Sequence, residues 1–567
     1  MRPSPFSFSS KNDSPLTRMV LFVRTLSPGD RLIASILALF LFGSLAAGVI
    51  ALERSFMVTI PAQGGVLTEG IVGTPRFINP LLALSDADRD LTALVYAGLM
   101  GIDGEGELVP VLAESYSISE DGTEYTFILR ENAKFSNNTP VTADDVVFTV
   151  EKAQDPSLRS PELANWANIR AESLDARTVR FTLPKPYAPF IVDTTLGILP
   201  ADKWRNVPAD EFSFSPLMIQ PIGAGPFTVS KVLRDKDGGI ISMDLRASKT
   251  FAPGRPYLDM IRITFYGDAQ ELMTAYERGA VETAYGIPVP DALRAPYSRV
   301  FGAFFNSDEN PTFAQIELRE ALSIAVDRQK IVDQVLGGYA TPLTGPVPPG
   351  SGIEQPVLPA TGIEGARKIL EEGGWSQNEE TGVWEHEGDN LSLPTITIKT
   401  SNVPELKNTA TAIEADWEAL GFPTEVELYE PGDLAANVIR PRAYEVLLFG
   451  MVIGRDRDLY AFWDSGERSD PGLNIALYAN RSVDILLGRI REELDPTVAH
   501  EDLVKLSALI ASDYPAVFTH APDFLYAIPN SVRGVRLPQI ASPSDRYATV
   551  ASWYRNTEQV WPVFAGM

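Results

Sequence analysis

The chain has 567 residues, enough for three to four domain-sized units, and carries a formal net charge of −26 at pH 7. Hydrophobic residues at 45% and charged residues at 22% exclude wholesale disorder. The acidic balance argues against nucleic acid or an anionic lipid surface as partner, since both call for clustered Lys and Arg. Cysteine is absent, which excludes a thiol nucleophile, a disulfide framework and any thiolate metal site. The three histidines, His386, His500 and His520, lie far apart and outside any HExxH pattern, so no metal and no cofactor are expected.

In chain order, the first strong signal is residues 32–52, LIASILALFLFGSLAAGVIAL, 21 residues without a charge. About 20 apolar residues span a bilayer as a helix. Arg2, Lys11, Arg18, Arg24 and Arg31 precede it against Asp13 and Asp30. The positive-inside rule then puts residues 1–31 in the cytoplasm and everything after Glu53 outside. The run is longer than the apolar part of a signal peptide, about 7–15 residues, which favours an uncleaved signal anchor. Ala46, Ala47 and Gly48 keep a cleavable signal peptide open as the alternative.

Residues 53–64 read as a spacer, and beyond it strand-like and helix-like pieces alternate. Helical spacing is predicted over 90–100, ending at Gly101, and over 142–151, where Thr142 and Asp145 approach a capping box. Alternation predicts strands over 124–129, 178–183, 227–232, 240–245 and 260–266. A helix over 268–278 is closed by Gly279, and a long helix is expected within 311–336. Residues 341–359 are Pro- and Gly-rich and read as loop. Helices over 363–372 and 408–420 alternate with strands over 393–399, 424–429 and 445–449, as in an α/β protein with a parallel or mixed sheet.

Motifs for common chemistries are missing: no GxxxxGK[ST], no GxGxxG after a strand, no GxSxG. SDADRD at 85–90 is short of a calcium loop, with Leu91 and Ala97 where Gly and Glu belong, and reads instead as acidic residues opening a helix. GAGP at 223–226 reads as a tight turn. With 74 acidic residues, a carboxylate pair near some cleft is inevitable and signals no hydrolase by itself.

Six blocks in order carry a specific signal: GTPRFINPLL at 73–82, LVYAGLMG at 94–101, LAESYSISEDG at 112–122, LRENAKFSNNTPVTADDV at 129–146, IGAGPF at 222–227 and LREALSIAVDRQKI at 318–331. This order and wording resemble the extracytoplasmic solute-binding proteins of ABC transporters, family 5, the oligopeptide, dipeptide and nickel group. The resemblance runs from about residue 65 to about 537. It implies a two-lobed periplasmic-binding-protein-like α/β fold of the large, three-part type II form behind one transmembrane helix. Lobe I would comprise 65–300, with an extra subdomain at about 105–215, and lobe II 301–519. Residues 520–567 would return to lobe I and end in a C-terminal tail, with crossings at 301–306 and 518–522.

The resemblance further implies a receptor with no catalysis. A peptide or other small solute would be enclosed between the lobes by hinge closure, and ABC permease subunits would be the membrane partner of a monomeric receptor. A surface sensor or chaperone-like peptide-binding protein uncoupled from transport is the alternative. In peptide-binding members an Asp of the second lobe pairs with the peptide's free amine, because a buried ammonium needs such a partner. The matching stretch is GMVIGRDRDLYAFW at 450–463. Here the expected position falls on Arg455 with Asp456 beside it, and Leu459 replaces the family's Pro. Asp456, then Asp458, are the candidate cation partners. Tyr460 and Trp463 are candidate apolar walls, Asn474 a candidate amide, and Phe77 and Asn79 candidates from the first lobe.

Overall fold

The computed structural model describes residues 22–359, 361–378, 380, 382–386, 391–392 and 395–564. The chain divides into two units, residues 1–62 with 556–567, and residues 63–555. In the smaller unit, helix Pro28–Phe56 is long and apolar enough to cross a membrane. The stretch read as a spacer contains a strand, Val58–Ala62, which pairs antiparallel with Asn556–Val560.

The larger unit is organised by one long strand, Ala516–Ala527. Its first half pairs with Arg299–Phe305 and Ala340–Pro342; its second half pairs with Thr283–Tyr285 and Leu293–Pro296. Beyond Arg299–Phe305 the sheet continues through Val446–Val452, Ile396–Ser401 and Thr424–Tyr429. On the other side it continues through Val66–Val72, Met260–Tyr266, Ile240–Ala247 and Phe227–Arg234.

The apolar interior divides along the same line. Two clusters draw only on residues between Val300 and Ala521 and cover the two faces of one half-sheet. The other two draw only on residues 67–295 and 524–553. Each half therefore carries its own core, and few chain segments join them, the arrangement that lets two lobes move as bodies.

The first lobe also holds a four-stranded antiparallel sheet, Ala113–Ile118, Glu124–Leu129, Thr178–Thr182 and Arg170–Ser173. Helix Ala143–Ala153 opens on the expected capping box, with Asp145 accepting from Thr142 N and Oγ1 at 2.8 Å. GAGP is a turn: a side chain at Gly223 or Gly225 would strike the Val95 carbonyl.

Several elements depart from expectation. The first helix of the larger unit is Asp86–Val95, not 90–100, because Ser85 caps it with Asp88 in a full capping box, and the chain is extended again at Tyr96. The long helix expected within 311–336 is broken. Helix Ile316–Ala325 stops at extended Val326, Asp327 caps a fresh turn, and Ile331–Val335 winds as a π-helix. Ala340–Pro342 is a short strand at the start of the predicted loop. Of the strand expected over 393–399, residues 393–394 lie outside the described residues, and Ile396–Ser401 is observed.

Candidate functional site

Between the halves lies a cavity of about 630 Å³, lined from the first lobe by Arg89, Thr92, Tyr96 and Glu162 and from the second side by Arg299 and Val452. Several of its polar groups have no hydrogen-bond partner among the described residues. The Tyr96 hydroxyl, Thr92 Oγ1 and Arg299 Nε are buried and unbonded. A buried polar atom without a partner costs roughly 1–3 kcal/mol, a cost that a hydrogen-bonding guest or water in the cavity would offset.

Asp193 stands close by. It ends the short helix Phe190–Asp193, which is fixed by Phe190 packing on Tyr125 and Trp166 at 4.9 and 5.6 Å between ring centres. The Asp193 side chain makes no ion pair or hydrogen bond among the described residues. Burial, then the charges of Asp456 and Glu162, push its carboxyl up to about 8.

Asp456 belongs to the second lobe. Buried Ile453 and Leu459 pin the ends of the turn GRDRD, and Arg457 takes a left-handed φ of 56° that folds it back. Gly454 leaves room for the Asp456 carboxylate, which a side chain there would strike. Asp456 accepts one long bond from Asp458 N, 3.3 Å, and forms no ion pair among the described residues. Burial, reinforced by the negative charge of Asp458, pushes it up to about 6. The charge of Asp456 thus reaches Asp193 from the other lobe, while Asp456 itself feels the Arg491 guanidinium, which lowers it without pairing with it.

Two bridges between the lobes flank this pair. Arg455 forms an ion pair with Asp545 at 2.8 Å. Arg491 donates to Asp458 at 2.8 Å, and its guanidinium lies 4.0 Å from the Tyr460 ring and 5.4 Å from Tyr187 of the first lobe. Ala188 N donates to the Arg491 carbonyl at 2.7 Å, and Tyr187 Oη to Asp458 at 3.4 Å.

Residues 107–470 match the family model for bacterial extracellular solute-binding proteins, family 5, middle region. The chain belongs to this family. Among curated family 5 relatives, the oligopeptide-binding protein AppA of Bacillus subtilis is 26% identical over 502 residues, covering 84% of this chain and 90% of AppA. The glutathione-binding protein GsiB of Escherichia coli K12 is 27% identical over 434 residues, 72% of this chain and 81% of GsiB. The solved structure of Bacillus subtilis AppA with a nonapeptide matches at a TM-score of 0.65 and 24% identity, covering 87% of this chain and 99% of that one. The unliganded open form of the periplasmic murein tripeptide-binding protein MppA matches at 0.72 and 18%, covering 88% and 99%. The two-lobed fold is that of family 5, and the chain is a solute-binding protein.

Not every residue expected from the family 5 resemblance reaches the gap. The charge of Asp456 reaches Asp193, but Asp458, Arg455 and Tyr460 are engaged in the lobe-to-lobe bridges. Trp463 is fully buried against Phe304, Tyr478 and Phe518, so it is core and not a wall. Asn474 is also fully buried and satisfied, donating to the Asp464 and Tyr478 carbonyls and accepting from Tyr478 N; it holds a turn. Phe77 packs half-buried on the first-lobe core, and Asn79 Oδ1 accepts from Leu81 N. Asp193, Glu162, Tyr96, Arg89 and Arg299 were not singled out by sequence. Tyr96 lies within the LVYAGLMG block, which was the one available hint.

Proposed function

We propose that this chain is a membrane-tethered, non-catalytic receptor that captures peptides with a free amine and hands them to an ABC permease. The observation that carries the reading is the Asp193–Asp456 pair, one half-buried carboxylate from each lobe, neither engaged in an ion pair among the described residues. An ammonium placed between them offsets the desolvation of both carboxylates, and it does so only when the lobes are together. Binding energy is thereby coupled to closure. The unbonded Tyr96, Thr92 and Arg299 groups offer hydrogen bonds to a peptide backbone. Membership of an extracytoplasmic family and the charge asymmetry around residues 32–52 support a helix retained as anchor, with the larger unit outside.

Isothermal titration with a mixed library of di- to decapeptides tests this, each peptide free or acetylated at its N-terminus. Free peptides are expected to bind and acetylated ones to bind at least tenfold more weakly, the value of about 1.4 kcal/mol. Equal binding of both forms removes the amine-capture role, and no heat from any peptide with folded protein removes the peptide receptor.

A further inference from the structure

We propose that the segment around Trp561 is a second membrane contact, seated in the interfacial layer of the same bilayer that the N-terminal helix spans. The inference rests on the reading of that helix as a retained anchor. Its own support is the pairing of Val58–Ala62 with Asn556–Val560.

The register sets the direction. Val58 lies opposite Val560 and Ala62 opposite Asn556, so as the first strand leaves the helix the second runs back toward it. Trp561, one residue past Val560, comes level with Met57, just beyond the helix end at Phe56. The uncharged run ends at Leu52, and four helical residues more, at 1.5 Å each, put Phe56 about 6 Å past the hydrocarbon. A bilayer about 40–45 Å thick with a core of about 30 Å has interfacial layers of roughly 5–8 Å. Phe56 and Trp561 therefore fall inside that layer, where Trp is enriched.

The exposed side chains are graded to match. Nearest the helix the unit exposes apolar side chains: Phe56 at 58%, Val58 at 39%, Trp561 at 41% and Val563 at 72%. Farther along the ladder the exposed side chains are polar, Thr59, Gln559, Glu558, Thr557 and Asn556, while the apolar Ile60, Pro61 and Ala62 opposite them are half-buried. A two-stranded ladder on its own is marginal in water, so one with an apolar end calls for a surface to rest on. Because no cluster of cations is involved, the contact suits a zwitterionic interface and does not conflict with the acidic charge of the chain.

Trp561 is a built-in reporter. The other tryptophans, 166, 204, 375, 384, 417, 463 and 553, are each no more than 2% exposed. The full chain is reconstituted in phosphatidylcholine vesicles, with bromine either on the acyl carbons nearest the headgroup or near the chain end. Flotation is scored together with fluorescence. Shallow bromine is expected to quench one of the eight tryptophans, deep bromine to quench it less, and the difference to vanish in Trp561→Phe. If the protein floats but Trp561 answers to aqueous acrylamide and to neither brominated lipid, the contact is wrong and the anchor stands. If the protein does not float with vesicles, the anchor reading fails and takes this inference with it.

Discussion

Two carboxylate clusters, built from the same kinds of side chain, differ in whether a cation is paired with them. In the first lobe Glu69 and Asp90 are fully buried around Arg546, which donates to both at 2.7 Å. Tyr526 donates to Glu69 at 3.0 Å, the Tyr547 hydroxyl accepts from Arg546, and the Tyr285 ring lies 4.6 Å from the guanidinium. Asp193, Glu162 and Asp456 are half-buried, and among the described residues no cation forms an ion pair with Asp193 or Asp456, Arg491 acting on Asp456 only from a distance. The first cluster is complete and closed to any guest; the second is incomplete. A carboxylate whose partner is supplied holds the fold; on the reading proposed above, one without an ion-pair partner is left for the ligand's ammonium.

The sharpest way to break this contrast is to remove the supplied partner. Arg546→Met leaves two acidic groups buried without their cation. Stripping one member from a buried ionic network costs about 3–5 kcal/mol. The midpoint of urea unfolding should fall accordingly, while the fraction that remains folded keeps its peptide affinity. A variant as stable as wild type would mean that the cluster is not the structural tie described.

Removing a withheld charge should do the reverse. Asp456→Asn and Asp193→Asn take away unpaired negative charge, so urea midpoints at pH 8 should hold or rise slightly. Affinity for free-amine peptides should fall about ten- to a hundredfold, from charge-assisted bonds worth about 1.5–3 kcal/mol. Acetylated peptides should be little affected. Loss of stability together with equal loss for both peptide types would place these residues with Glu69 and Asp90.

The two clusters also differ in how far sequence could reveal them. Strands such as Glu124–Leu129, Met260–Tyr266 and Thr424–Tyr429 matched their expected limits, because alternating burial is a local property. The break at Val326 was hidden because it depends on one residue turning extended and on Asp327 capping the next helical turn. The family block pointed to Arg455, and Asp456 came into view only as its neighbour. Asp193 had no such pointer, since it owes its place to Phe190 packing on distant Tyr125 and to a turn of the other lobe. Trp463 and Tyr460 look alike in sequence, three residues apart. Only the fold buries the first in the core and leaves the second under Arg491. The triad was equally hidden: Glu69, Asp90 and Arg546 come from three remote segments.

Proton linkage gives a finer separation. Both gap carboxyls are raised, Asp456 to about 6 and Asp193 to about 8. Protons held there must leave before an ammonium can pair. Affinity for a cationic peptide should therefore rise with pH between about 6 and 8, by up to about tenfold per unit for each proton displaced. A trimethylated N-terminus keeps the probe's own charge constant. Stability has the opposite sign. A raised carboxyl favours the folded chain fully below the unfolded value near 4, and that contribution is lost as pH rises through the folded one. Titration in buffers of different ionisation enthalpy should show proton release on binding, abolished in Asp193→Asn.

The smallest expected effect concerns the bridges beside the gap. Arg491 is about a quarter exposed and holds Asp458, with Tyr187 of the first lobe over its other side. A partly exposed pair of this kind contributes about 0.2–1 kcal/mol. Arg491→Ala should thus weaken peptide binding only two- to fivefold, through a less populated closed form and not through a lost ligand contact. Small-angle scattering separates the causes. The ligand-free variant should show a larger radius of gyration than wild type, and saturating peptide should bring the two together. If the ligand-free radii agree while affinity falls, Arg491 touches the peptide itself, and the bridge belongs with Asp193 and Asp456 as part of the binding surface.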